Sequence, residues 1–299
     1  MGHIITDLKE AFRRGNVYIQ LIFINVGVFV ITTLIGILLQ LFNRSAAGIF
    51  ALLALPASFT RFAWQPWSIF TYMFMHAGFL HILFNMLWLY WFGALFLYFF
   101  SGKHLRGLYI VGGICGGLLY MISYNVFPYF RPMTAYSTMV GASASVLAIV
   151  VATAYREPNY PVRLLFFGNV RLKYLALIVV LTDLLFITSS NAGGHIAHLG
   201  GALAGLWFAA SLNKGKDITS WVNKALDAIA ALFSAKTWKR KPKMKVHYGN
   251  NTRQNDYDYN ARKKAQSDEI DRILDKLKKS GYESLTTEEK KSLFDASKR

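Results

Sequence analysis

Six long apolar stretches constrain the folding of this 299-residue chain more than any other feature. The first, Val17 to Phe42, has no charged residue and exceeds the ~20 residues that a helix needs to cross a bilayer. A signal peptide has a shorter apolar region, so we interpret this stretch as an uncleaved membrane helix. The other candidate spans are about 78–100, 105–127, 138–155, 173–190 and 195–212. With 54% hydrophobic and 16% charged residues, the sequence predicts an all-α polytopic membrane protein with a six-helix bundle over residues 17–212.

The basic residues are distributed unevenly along the chain. The formal net charge is +17, and 21 of the 33 Lys and Arg residues follow position 213. A basic tail beside a membrane is typical of affinity for anionic lipid headgroups, and the chain carries no nucleic-acid recognition motif. If both termini are cytoplasmic, 30 of the 33 basic residues lie on the cytoplasmic side. The positive-inside rule therefore predicts cytoplasmic N- and C-termini.

The segments outside the bundle have compositions of their own. Residues 1–16 form a cytoplasmic N-terminus in this interpretation, and residues 213–235 form an amphipathic helix on the inner leaflet. A basic linker follows at 236–255. Residues 256–299 read as a soluble helical hairpin, in which Gly281 caps the first helix and Thr286 with Glu289 makes a capping box for the second. This hairpin is either a solvated appendage or a docking site for a cytoplasmic partner.

Polar side chains inside the spans are costly in a bilayer, so each requires an explanation. His81 and Asn85 lie four residues apart near the start of the second span and share a helix face. Alone, such a pair is typical of a structural hydrogen-bond network. Gly141 and Ser143 open the charge-free fourth span, where small residues usually serve close helix packing.

The depth of these residues favours a common function. His198 lies near the start of the sixth span, where Gly201 and Gly205 have the spacing that allows close helix approach. The second, fourth and sixth spans run in the same direction. Ser143 and His198 therefore share a depth with the two polar residues of the second span, roughly 5–10 Å below the outer surface at ~1.5 Å per residue. Independent packing residues have no reason to share a depth.

A hydroxyl, an imidazole and two further hydrogen-bond donors at one level are what acyl transfer requires: a nucleophile, a general base and donors for an oxyanion. Near a helix N-terminus, the backbone N–H of Ser143 lacks an intrahelical acceptor and lies in the positive field of the helix dipole. That N–H is available to a developing oxyanion.

A metal site is the competing interpretation, with His76, His81, His195 and His198 as ligands. His195 and His198, at i and i+3, have chelating spacing. His76 and His81, five apart, are expected to point away from each other on a helix, and no intramembrane acid or thiol obviously completes a set. We therefore predict no metal and no cofactor. Asp183, the one acid inside a span, is expected to hydrogen-bond a neighbouring helix in preference to a gating role, and Cys115 is expected to be a core residue.

At these residues the chain resembles the rhomboid family of intramembrane serine proteases, over about residues 12–212. The matching motifs are His76-x4-His81-x3-Asn85, Gly141-x-Ser143 and His198-Leu199-Gly200-Gly201-x3-Gly205. Two positions depart from the family pattern: Ala144 stands where the family has Gly after the nucleophile, and Ser68 stands where its external loop has Arg. Similar appended C-terminal segments are familiar from rhomboids of Bacteroides-like bacteria, which implies a bacterial inner-membrane protein.

The resemblance implies a Ser143–His198 dyad without a third, acidic member, and an oxyanion hole formed by the Ser143 N–H with His81 and Asn85. Substrates are then transmembrane segments of other proteins, cleaved near the outer face, with the fifth helix and the glycine-containing loop 189–194 as entrance and lid. Two other classes stay open: a catalytically silent relative that binds membrane clients, and a transporter. A transporter needs a continuous polar pathway, whereas the inner halves of the second, fourth and sixth spans are apolar.

Overall fold

The computed structural model describes residues 12, 15–164, 168–232 and 252–297. Most of the predicted N-terminal segment 1–16 and of the basic linker 236–255 lies outside this part of the chain. The chain divides into two compact units, residues 1–237 and 238–299. The first unit contains the helical bundle, and the second contains the C-terminal helices.

A helix occurs at each of the six predicted spans. Their bounds are α1 Val17–Leu41, α2 Phe79–Phe99, α3 Gly102–Val126, α4 Ser143–Arg156, α5 Leu172–Leu185 and α6 Ala192–Asn213. Within the described residues, α1, α2, α3 and α6 are long and apolar enough to cross a membrane. Helices α4 and α5 have 14 residues each and are therefore only ~21 Å long. The fold is all-α and polytopic, as predicted, and α4 and α5 are its two short helices. The orientation of the bundle in the membrane stays a prediction.

Helix α4 occupies the centre of the bundle. Eleven of its 14 residues are buried, and it contacts α2, α3, α5 and α6. The closest approach is to α6, because a Cβ on Gly201 would collide with the carbonyl oxygen of Ala144 and one on Gly205 with that of Ala148. Only glycine allows the two backbones to touch in this way. This contact fixes the start of α4 against the start of α6.

The N-terminus of α4 differs from the predicted span. Residues 138–142 are not helical; instead Thr138–Met139 (β2) pairs antiparallel with Leu55–Pro56 (β1), and Gly141 follows with a φ of +136°. The Gly141 N–H also donates to the Tyr72 carbonyl at 2.9 Å. These tertiary hydrogen bonds hold the chain extended up to Ala142, so the helix begins at Ser143.

The prediction of a mobile loop at residues 189–194 is also wrong in part. Helix α6 already begins at Ala192, so Gly193 and Gly194 belong to its first turn. A Cβ on Gly193 would lie 2.8 Å from the ring of Tyr120, and one on Gly194 would lie 2.6 Å from the side chain of Asn191. These glycines permit close packing and do not form a flexible lid.

Short elements order the connection between α1 and α2. They are the helices Ala47–Leu53, Phe59–Trp64 and Ser68–Thr71 and the 3₁₀ turn Tyr72–Phe74. The Trp67 indole N–H donates to the Leu52 carbonyl at 2.9 Å, and the Thr71 hydroxyl to that of Leu53 at 2.7 Å. A small hairpin, β3 Pro161–Leu164 with β4 Gly168–Arg171, joins α4 to α5. The α1–α2 connection is thus a folded cap beside β2.

Helix α7 (Ser220–Leu232) lies within the predicted amphipathic segment 213–235 and packs part of its apolar surface on the bundle. Val222 is buried against Val111 of α3 and Ala204 of α6. The Arg106 guanidinium donates to the Asn223 side chain at 2.9 Å and to Asp227 at 3.2 Å. Ile229, further along the helix, is exposed.

The second unit contains α8 (Thr252–Ser280) and α9 (Thr287–Ser297), joined by a 3₁₀ turn. Gly281, with φ +73°, ends α8 and donates its N–H to Leu277 at 3.0 Å. The capping box forms: Glu289 accepts from the Thr286 N–H at 2.8 Å and donates its own N–H to the Thr286 hydroxyl at 3.3 Å. The Lys276 hydrogen bond and the Thr286 N–H lower the pKa of the Glu289 carboxyl.

Candidate active site

A cavity of about 580 Å³ lies at the ends of α2, α4 and α6 that adjoin the β1–β2 cap. Four polar residues that the sequence singled out line it together: His81 and Asn85 from α2, Ser143 from α4 and His198 from α6. They are the third and seventh residues of α2, the first of α4 and the seventh of α6. Because these helices start at the same end of the bundle, the structure brings the four side chains to one level.

Ser143 is partly exposed at the first position of α4. Its backbone N–H therefore has no acceptor within the helix and lies at the positive end of the helix dipole. A Cβ on Gly141 would lie 2.9 Å from Nε2 of His81 and 3.6 Å from the Ser143 hydroxyl oxygen. Gly141 thus lets the chain turn with positive φ and leaves space in which the hydroxyl and the imidazole come close.

The hydrogen bonds of His81 fix which ring nitrogen carries the proton. The Ala77 N–H donates to Nδ1 of His81 at 3.3 Å. A nitrogen that accepts is unprotonated, so in the neutral ring the proton is on Nε2. Nε2 is the atom beside Gly141 and Ser143, where an N–H donor can meet an oxyanion.

Asn85 is the second donor on α2. Its amide nitrogen donates one hydrogen to the His81 carbonyl at 2.8 Å, and the side chain lines the cavity. An amide nitrogen carries two hydrogens, so one stays available on the cavity side. The bond to the preceding turn also holds the amide in place.

A second, smaller cavity of about 200 Å³ adjoins the first and shares Phe84, Asn85, Ser143 and His198 with it. Its other lining residues are apolar or aromatic: Trp88, Val146, Leu147 and Val179. Val179 belongs to α5, so this apolar cavity lies between α2, α4 and α5. The hydroxyl of Ser143 therefore stands where a polar space meets an apolar one.

Ala144, which departs from the family pattern, does not narrow either cavity. It is 1% exposed, and its methyl group would lie 2.6 Å from a Cβ on Gly116 of α3. The extra methyl group is thus packed against a glycine on the side away from the cavities. Ser145 is buried as well and has no hydrogen-bond partner for its hydroxyl among the described residues, which agrees with a packing role.

The structure contradicts the expectation that His198 has no acidic partner. One carboxylate oxygen of Asp183, on α5, lies 2.8 Å from Nδ1 of His198 and 2.8 Å from Nδ1 of His195. Asp183 does bond a neighbouring helix, as expected, but the bond falls on the candidate base. The sequence signal was present, because a lone acid within a span is costly and requires a partner.

Asp183, His195 and His198 also form a possible metal site, which the sequence argued against. Asp183, His195 and His198 place ligand atoms within 4.8 Å of one another, so an intramembrane acid does complete a set of three. The expected separation of His76 and His81 is also wrong, since His76 precedes α2 and the two ring centroids lie 5.1 Å apart. Of these two sets, only Asp183, His195 and His198 offer three donors that could hold a cation such as Zn²⁺.

His76 supports the site from outside the cavity. It is 8% exposed, contacts the His81 ring edge-on at 68°, and lines a separate cavity beside α1. Burial, and secondarily His81, lowers the pKa of His76 from 6.5 to about 4. His76 is therefore neutral at physiological pH and packs against His81 without adding charge.

Fold and site together define an all-α polytopic membrane protein with a serine, two imidazoles and an amide gathered within the bundle. The rhomboid domain family matches residues 63–214, just over half of the chain. The chain therefore belongs to the rhomboid family.

The chain is also similar to one plant protein, and its C-terminal residues match a second family. "RHOMBOID-like protein 12, mitochondrial" from Arabidopsis thaliana is 29% identical over 158 residues, which cover 50% of this chain and 47% of that protein. The chain therefore aligns with about half the length of this relative. Residues 254–299 match a family of unknown function (DUF6576), which corresponds to the second unit.

Proposed function

We propose that this protein is a serine endopeptidase that cleaves transmembrane segments of other membrane proteins near the outer face of the bilayer. The observation that carries the proposal is the shared cavity of Ser143, His198, His81 and Asn85. These residue types at one place supply a nucleophile, a general base and oxyanion donors. Membrane lipids surround the bundle, and the reaction requires no cofactor.

In the proposed reaction, His198 removes the proton from the Ser143 hydroxyl while its oxygen attacks a peptide carbonyl carbon. The resulting oxyanion accepts hydrogen bonds from the Ser143 N–H, from Nε2–H of His81 and from the Asn85 amide. His198 then gives its proton to the leaving nitrogen, and a water that enters through the polar cavity hydrolyses the acyl-enzyme.

The two adjoining cavities suit this chemistry. A substrate helix must unwind before attack, because its own hydrogen bonds hide the backbone carbonyl. An apolar side chain of the extended segment fits the space bordered by Trp88, Leu147 and Val179, while water occupies the polar side. By family resemblance, the substrate has a small residue at the cleavage point.

A fluorophosphonate probe tests the proposal directly in the purified full-length protein. We expect labelling of the wild type that disappears in Ser143→Ala and in His198→Ala. Ser145→Ala is the matched control, because this second serine of α4 is buried and should leave labelling unchanged. A folded wild type that takes up no label would refute the proposal and favour a catalytically silent protein that binds membrane clients.

A further inference from the structure

Asp183 is the only one of the three buried residues of α5 that is polar. The others are Leu172 and Ala176, and the spacing of four and seven residues places all three on one helix face. Its neighbours Leu184 and Leu185 are 53% and 78% exposed, as expected of a lipid-facing surface. The helix thus presents a single carboxylate towards α6, whereas most of its other side chains are apolar.

The carboxylate meets two imidazoles of α6 at hydrogen-bond distance. Oδ1 of Asp183 lies 2.8 Å from Nδ1 of His195 and 2.8 Å from Nδ1 of His198, and the Asp183 side chain is 6% exposed. An ionised carboxylate only accepts hydrogen bonds. Both contacts therefore place a ring proton on Nδ1, and two charge-assisted bonds offset the cost of the buried charge.

A proton on Nδ1 leaves Nε2 of neutral His198 as an acceptor. His198 lines both cavities at Ser143, so the free lone pair belongs to the nitrogen on the far side of the ring from Asp183. The opposite tautomer would carry a proton on Nε2 and could not accept one from a hydroxyl. The α5–α6 contact thus selects the tautomer that a general base requires.

We propose that Asp183 is a positioning residue that completes a Ser143–His198–Asp183 triad, an inference that rests on the proposed function. When Ser143 attacks, its O–H bond breaks, the proton moves to Nε2 of His198, and the new C–O bond forms as the carbonyl electron pair moves to oxygen. The ring is then an imidazolium, and the Asp183 carboxylate stabilises its positive charge without accepting the proton.

His195 has a subsidiary role in this arrangement. Its N–H occupies the same carboxylate oxygen, so it satisfies part of the buried charge and restricts rotation of the Asp183 side chain. Removal of His195 leaves the bond between Asp183 and His198 in place. Removal of the Asp183 charge takes away both the tautomer preference and the stabilisation of the imidazolium.

Kinetic measurements on the purified full-length protein test the triad. For Asp183→Asn we expect the fluorophosphonate labelling rate, and kcat for a reconstituted transmembrane substrate, to fall on the order of 10²- to 10⁴-fold while KM changes little. The labelling rate and kcat should fall less in His195→Phe than in Asp183→Asn. Thr182→Val is the matched control, because Thr182 is exposed on α5 and its hydroxyl bonds only the Ile178 carbonyl of its own helix, at 2.8 Å, among the contacts described.

Measurement of the His198 tautomer distinguishes a positioning role of Asp183 from a purely structural one. In protein labelled with ¹⁵N-histidine, with His198 assigned through His198→Gln, the wild type should show His198 protonated on Nδ1, and Asp183→Asn should shift the proton towards Nε2. This reading needs no turnover, so it decides the role of Asp183 even if the wild type proves inactive and the proposed function fails.

Three results would overturn the triad. The first is a wild-type His198 protonated on Nε2, which is measurable even if Asp183→Asn does not fold. The second is a folded Asp183→Asn protein that labels at the wild-type rate. The third is activity that a chelator abolishes and Zn²⁺ restores, since the carboxylate would then serve as a metal ligand together with the two histidines.

Discussion

At the scale of single residues, the surroundings of Ser143 depend on two small neighbours with different tasks. Gly141 adopts a φ of +136° and leaves the space beside His81 free. Ala144 directs its methyl group towards Gly116, where it is 1% exposed. The replacement of glycine by alanine after the nucleophile therefore affects the packing of α4 on α3 and leaves the cavity walls unchanged.

His76 makes the stability of the first unit depend on pH. Its pKa is about 4 in the folded protein and 6.5 in the reference state. Below pH 6.5 the unfolded chain binds a proton that the folded chain does not. The free energy of unfolding should therefore fall as the pH is lowered from about 6.5 to about 4, with a slope of up to ~1.4 kcal/mol per pH unit from this group.

We predict that His76→Phe reduces this slope, because phenylalanine keeps the edge-on contact with His81 and cannot be protonated. The measurement is thermal or denaturant unfolding in detergent between pH 4 and pH 7, a window taken from the two pKa values. Tyr136→Phe, an exposed aromatic substitution, should leave the slope unchanged. An identical pH dependence for His76→Phe and wild type would contradict the assignment.

The candidate site residues differ in how far the sequence could reveal them. Ser143, His81, Asn85 and His198 stand out because polar residues in apolar helices are few and their helices begin at one level. The contact of Asp183 with His198 could not be predicted, since it depends on how α5 and α6 are rotated against each other. Composition locates a costly carboxylate but does not identify its partner.

At the scale of helices, tertiary contacts moved the ends of the predicted elements. Residues 138–142 are apolar enough for a helix, but pairing with β1 and the bond from Gly141 to Tyr72 keep them extended. Gly193 and Gly194 suggested a loop, yet they are helical and packed on Tyr120 and Asn191. Residues 138–142 are held by partners distant in sequence, and Gly193 packs on the equally distant Tyr120, contacts that local pattern alone does not report.

The contact between α4 and α6 should tolerate no added side chain. For Gly201→Ala we predict a loss of stability of about 1–3 kcal/mol or more, because the new methyl group would collide with the Ala144 carbonyl, part of a helix backbone. Fluorophosphonate labelling should fall as well, since the start of α4 would move relative to His198.

Gly27→Ala is the matched control for this prediction. Gly27 is also a helical glycine, on α1, and a Cβ there has no heavy atom within 4 Å. Unfolding of both variants in the same detergent provides the comparison. Equal midpoints for Gly201→Ala and Gly27→Ala would show that the helix contact is looser than described.

At the scale of the whole molecule, the residues of the proposed reaction all belong to one unit. All the candidate site residues lie within residues 1–237, and the rhomboid match ends at residue 214. We predict that a chain ending after residue 237 keeps wild-type fluorophosphonate labelling, because no group proposed to act on substrate is removed. Loss of labelling in a truncated chain with a native unfolding transition would assign residues 238–299 a direct role in activity.

The contact between Asp183 and His198 joins two helices, so the alignment of the base belongs to a helix interface. Val179, one turn before Asp183 on α5, borders the apolar cavity beside Ser143. A polypeptide that pushes α5 outward to reach the serine would also withdraw the carboxylate from His198. Under the proposed triad, cleavage would then require α5 to return to α6, and a bound segment that holds α5 outward would not be cleaved.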